Sequence, residues 1–143
     1  MADMNSPFEL PPDLKNRGFR LTKMRKAIME EMSLAGKPLS VKQLTALLRD
    51  RGLSPHKTSV YRALNFMLET GLVTRTTFGE KQGRYELSAL GHHHHAVCES
   101  CGEIKDVDCS RGIREIEEVL RSLDFRVNFH LVEFVGVCKR CQS

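Results

Sequence analysis

Apolar residues recur at helical spacing three times in the first half of the chain. Met24, Ala27, Ile28, Met32 and Ala35 follow Thr22, which predicts a helix capped by that threonine and broken at Gly36-Lys37-Pro38. Val41, Leu44, Leu47 and Leu48 share one face of a second helix. Its start carries Ser40 and Gln43 at capping-box spacing, and Gly52 suits its left-handed end. Ser54 as N-cap and Pro55 as first helical residue predict a third helix over HKTSVYRALNFMLETG, closed by Gly71. One short turn in LKNRGF precedes them, after an irregular arm over residues 1–12 that holds three of the five prolines. Beyond Gly71 the period changes. LVTRTTF and RYELS read as two strands joined by the turn-prone GEKQG. Three helices followed by a hairpin make a winged helix-turn-helix domain over residues 1–88.

Residues 89–143 follow another plan. His92–Val97 and EIKDV read as strands, Ser110–Ser122 as a helix, and FRVNFHLVEFVGV as a long closing strand. In that strand Phe125, Val127, Phe129, Leu131 and Glu133 alternate with Arg126, Asn128, His130, Val132 and Phe134, so His130 faces away from Phe129. The second domain is thus a small α/β unit and the whole chain is α+β. Its open sheet edge suits pairing with a second copy, so a dimer is expected.

Composition narrows the class. A chain of 143 residues, 41% hydrophobic and 28% charged, is globular rather than disordered. It has no apolar run of membrane-spanning length and no basic-then-apolar leader at its start, so a cytoplasmic protein is expected. In that compartment thiols stay reduced, and paired cysteines read as metal ligands. Charge is uneven: residues 1–88 carry 15 Lys and Arg against 9 Asp and Glu, while residues 89–143 carry 7 against 9. The basic half is the one with the third helix. Lys57, Thr58, Ser59, Tyr61 and Arg62 in its first turns can meet phosphates, base edges and thymine methyls of DNA.

The densest chemistry is GHHHHAVCESCG at Gly91–Gly102. Cys98-x-x-Cys101 and Cys138-x-x-Cys141 suit a closed tetrahedral Zn²⁺ site of structural type, with Gly102 after the first knuckle where positive φ is needed. On a strand, His93 and His95 share one face and His92 and His94 the other, so one run supplies two sites back to back. The first can recruit Glu86 and Asp106; the second can recruit His130 and an acid from the helix, Glu115 or Glu117. Imidazole and carboxylate together accept Zn²⁺, Fe²⁺ or Mn²⁺, among other divalent ions. The bland alternative is a solvated polyhistidine patch. A zinc hydrolase is disfavoured, since no H-E-x-x-H helix and no paired base and nucleophile occur. A metal-storage or delivery protein would have no use for the basic Tyr61-Arg62 helix.

SVYRALNFMLETGLVTR, RYELS, HHHHAVCESCGEI and the closing VGVCKRC together resemble the ferric uptake regulator family of bacterial metal-dependent transcriptional regulators. The resemblance runs from about Leu14 to Cys141. It implies a non-enzymatic homodimeric repressor that binds palindromic A/T-rich operators in double-stranded DNA once loaded with a regulatory divalent metal, Fe²⁺ or Zn²⁺, with Mn²⁺ a further option. It matches Cys98, Cys101, Cys138 and Cys141 to structural zinc, and Glu86, His93, His95 and Asp106 to the sensing site. His92, His94 and His130, with Glu115 standing in for the acid, match an additional site. Tyr61 and Arg62 match recognition-helix residues, Arg20 a minor-groove contact and Arg25 a phosphate contact. Zinc-specific and peroxide-sensing members are the alternatives within the family. Departures are plain: Gly36-Lys37-Pro38-Leu39 offers no histidine where many members have one, peroxide sensors usually carry aspartate where Glu86 stands, and Ile113 occupies the aligned acid position. Cys109 is a spare thiol.

Overall fold

The computed structural model describes residues 9–88 and 93–142. The chain divides into two compact units, Met1–Leu90 and Gly91–Ser143.

The first unit runs α1 (Pro12–Asn16), α2 (Lys23–Ala35), β1 (Leu39–Ser40), α3 (Val41–Asp50), α4 (Lys57–Glu69), β2 (Val73–Thr76) and β3 (Arg84–Leu87). Thr22 caps α2 by accepting the Arg25 N–H at 3.3 Å, and Gly36 closes it at φ +60°, where a Cβ would be strained. At α3 the capping box is complete: Gln43 N–H donates to Ser40 Oγ at 3.2 Å, and Ser40 N–H donates to Gln43 Oε1 at 2.9 Å. Ile28, Met32, Leu44, Leu48, Val60, Leu64 and Met67 meet in one fully buried cluster, because each lies on the apolar stripe of its helix. The strands form an antiparallel sheet in the order β1-β3-β2, with Thr74 opposite Glu86.

β1 adds a strand beside the expected hairpin, α1 begins at Pro12 inside the expected arm, and the start of α4 also differs from the expectation. α4 begins at Lys57 with His56 as its extended N-cap, not at Ser54-Pro55. Pro55 is buried, so its ring serves packing rather than opening the helix. The shift leaves Lys57, Thr58 and Ser59 as the exposed first turn.

The second unit runs β4 (His94–Cys98), β5 (Ile104–Val107), α5 (Ser110–Ser122), β6 (Glu133–Gly136) and a 3-10 turn at Lys139–Cys141. β4 is the central strand, antiparallel to β5 and parallel to β6. Asp108 Oδ1 accepts from Ser110 N–H at 3.1 Å and from its hydroxyl at 2.7 Å, which starts α5. The expected closing strand is shortened to four residues. Alternation over 125–132 is real, but a strand needs a ladder partner, and β4 is only five residues long. No residue of α5 is buried, and Ile116 and Val119 on its apolar stripe are exposed, as is Leu123 at its C-cap. Among the described residues no helix is long and apolar enough to cross a membrane.

Candidate metal centres and nucleic-acid interface

The four paired cysteines converge. Their sulfurs all lie within 4.8 Å of one another, and Cys101 Sγ stands 3.8 Å from Cys138 Sγ. A tetrahedral zinc with ~2.3 Å bonds to sulfur spaces its ligands about 3.8 Å apart, so the donor set and its spacing fit that ion. Local backbone builds the cage. Gly102, at φ +74°, turns its N–H back to the Cys98 carbonyl at 2.8 Å, and the Cys138 N–H donates to Cys98 Sγ at 3.3 Å. That N–H, with the amides of Cys101 and Ser100, draws the Cys98 thiol down to about 6. Cys101 is also lowered, first by the Glu103 N–H and then by Arg140, whose Nη2 lies 3.5 Å from its sulfur. Cys141 is pushed up to about 12 because it donates first to Cys138 and then to Cys101. Four sulfurs held this close cannot all carry charge without a cation.

β4 also sorts the histidines. His95 lies opposite Asp106 in the ladder, with His95 Nε2 3.6 Å and His93 Nε2 4.0 Å from Asp106 Oδ1. The His93 and His95 rings are 4.5 Å apart between centroids. Two atoms bound to one ion at ~2.1 Å lie roughly 3–4.2 Å apart, so these spacings suit a shared metal. On the other face, His94 Nε2 and His130 Nε2 are 3.3 Å apart, and His130 Nδ1 stands 3.8 Å from Glu117 Oε1. The acid beside His130 is therefore Glu117. Glu115 turns to Arg111 at 3.4 Å, two residues and about 200° around the helix from Glu117. His92 lies outside the described residues. Glu86 is a buried carboxylate on β3 of the first unit.

The basic face is amphipathic α4. Val60, Ala63, Leu64 and Met67 are buried, while Lys57, Thr58, Ser59 and Arg62 are exposed and Tyr61 is half-buried. Lys57 Nζ sits 5.9 Å from the Tyr61 ring centroid. Arg20 is exposed; Arg25 is half-buried, with its guanidinium 3.5 Å from the centroid of the Phe66 ring. Sequence reasoning passed over Phe66. The available signal was an aromatic one turn beyond Arg62, on the same side of an otherwise polar helix face.

A model of the Ferric uptake regulator family matches residues 16–135. The Peroxide operon regulator of Bacillus subtilis is 31% identical over 131 residues, spanning 91% of this chain and 89% of that protein. The ferric uptake regulator Fur of Helicobacter pylori, whose structure has three functional metal binding sites, superposes with a TM-score of 0.80 at 26% identity, covering 92% of this chain and 87% of that one. A zinc uptake regulator complexed with zinc and DNA superposes at a TM-score of 0.62 and 27% identity, covering 90% and 87%.

Proposed function

Since the chain belongs to the ferric uptake regulator family, we propose that it is a homodimeric, metal-dependent repressor whose regulatory ion is held by His93, His95, Asp106 and Glu86. The observation that carries this is the register of β4 against β5, which sets His95 and Asp106 side by side with His93 next to them. Glu86 belongs to β3 in the wing of the DNA-binding domain, residues 1–88, and the other three belong to the domain over 89–143. A metal taking ligands from both domains favours one arrangement of the two. It shifts the equilibrium only by its differential affinity: moving the DNA-competent fraction from 1% to 99% needs about 10⁴-fold tighter binding to that state.

DNA is met by α4. Its exposed Lys57, Thr58, Ser59 and Arg62, with the edge of Tyr61, enter the major groove, while Arg20 reaches the minor groove. The same helix in a partner copy reads the second half of a palindromic operator. Cys98, Cys101, Cys138 and Cys141 hold a zinc with no open position, so its role is structural. His94, His130 and Glu117 form an additional site of the dimerisation domain.

The test is fluorescence anisotropy of a labelled duplex from the region upstream of the chain's own coding sequence, titrated with protein in buffered Fe²⁺, Mn²⁺ and Zn²⁺ without oxygen. Wild type should bind only when loaded, and Glu86→Ala and His93→Ala should lose the metal dependence while keeping their structural zinc. Unchanged metal dependence in both variants refutes the site. Peroxide sensing is the second reading, because the Bacillus subtilis relative is a peroxide operon regulator. It requires hydrogen peroxide to release DNA from the iron-loaded protein and not from the manganese-loaded one.

A further inference from the structure

One turn past Arg62 the exposed face of α4 gives way to Phe66, a half-buried ring that packs against the core of the first unit. The Arg25 guanidinium lies 3.5 Å from the Phe66 ring centroid. Phe19 meets the same ring edge-on, with centroids 5.2 Å apart and planes at 62°. Arg17 lies 5.0 Å from the centroid of the Phe19 ring. Arg25 Nη1 then donates to the Arg20 carbonyl at 2.8 Å. Cations and rings from the segment before α2, from α2 and from α4 are thus interleaved around the residue expected to reach the minor groove.

We infer that Arg25 and Phe66 are positioning residues, which lock the Arg17–Arg20 segment to the recognition helix so that Arg20 and α4 meet neighbouring grooves together. The inference rests on the DNA-binding function proposed above and departs from the resemblance, which makes Arg25 a phosphate contact. Two features favour positioning. One face of the Arg25 guanidinium is covered by Phe66, and one of its N–H groups is committed to the Arg20 carbonyl. Partial burial also lowers its pKa slightly from the ordinary arginine value. A flexible arm would pay its ordering entropy on binding; one stacked in the free protein has already paid it. The geometry needs a planar cation that stacks and donates in one plane, which lysine cannot supply.

The experiment separates a positioning residue from a phosphate contact. A duplex is first selected from a random-sequence pool by manganese-loaded wild type. Each adenine is then replaced in turn by 2,6-diaminopurine, which adds a minor-groove amino group and leaves the major-groove pattern intact. At the position Arg20 reads, wild type should lose roughly tenfold in affinity. Arg25→Lys, which keeps the charge, and Phe66→Leu, which keeps apolar bulk, should each bind the unmodified duplex about tenfold more weakly, with diaminopurine then costing less than about twofold. Phe66→Tyr should restore both affinity and discrimination. Full affinity and full discrimination in Arg25→Lys overturn the inference, as does a wild type that selects a duplex yet ignores diaminopurine at every position. A wild type that selects no duplex sinks the regulator function itself. Melting temperatures identify a variant that merely unfolds, and the other variant then decides.

Discussion

Replacing Cys138 with serine should unfold the second unit and leave the first intact. Among the described residues from 93 onward, the buried apolar side chains are Val97 and Cys98, since the apolar stripe of α5 is exposed. Each buried side chain of this kind contributes ~1.5–3 kcal/mol. Structural zinc contributes ~10–16 kcal/mol of apparent binding energy, so within a single chain the metal outweighs the core severalfold. Cys138 is central to the cage: its sulfur lies 3.8 Å from Cys101 Sγ, and its N–H donates to Cys98 Sγ. The assay is hydrogen–deuterium exchange by mass spectrometry on the full chain, with zinc content measured in parallel. Amides of β4, β5 and α5 should lose protection in Cys138→Ser while those of α2, α3 and α4 keep theirs. Full protection of β4 and β5 in protein shown to lack zinc would refute the reasoning.

Ser40→Ala removes one arm of the α3 capping box and should cost about 1 kcal/mol, read as a melting temperature roughly 4–8 °C lower for the first unit; an unchanged melt would show the cap to be idle. A second copy docked on the exposed apolar stripe of α5 would cover Ile116, so Ile116→Glu should give monomers in place of dimers on sedimentation, and a variant that stays dimeric refutes that docking. A wild type that is monomeric at the same concentration refutes the use of this face.

Periodicity made much of the fold legible, and its failures share one cause. The stripes of α2, α3 and α4, the Ser40–Gln43 box and the span of α5 are local properties, written within a few turns of chain. The start of α4 was ambiguous because Ser54-Pro55 satisfies the local rule as well as His56-Lys57 does; the burial of Pro55 decided it, and burial is tertiary. Residues 125–132 alternate as a strand should, but pairing depends on how much of β4 is available. The faces of His93, His94 and His95 were legible, since a strand alternates whatever surrounds it. Whether Glu115 or Glu117 meets His130 was not, since that depends on how α5 is rotated over the sheet. The place of Phe66 on α4 was legible one turn beyond Arg62, but its stacking on Arg25 joins distant parts of the chain and was not.

What alternation on β4 does reveal is a coupling inside the second unit. One five-residue strand presents His94 and Cys98 on one face and His95 on the other, and β5 and β6 hold it from both sides. His95 and Cys98 are three residues apart, roughly 10 Å along an extended strand. The zinc that fixes Cys98 therefore also fixes the origin from which the histidines project. Ladder register then sets His95 against Asp106, as it sets Val97 against Val135. A strand freed at its cysteine end can slip or fray, and a slip of one residue would exchange the two histidine faces. The structural zinc is thus a condition for the regulatory site having a defined geometry at all. Affinity for the regulatory ion should depend on zinc occupancy even though the two ions share no ligand.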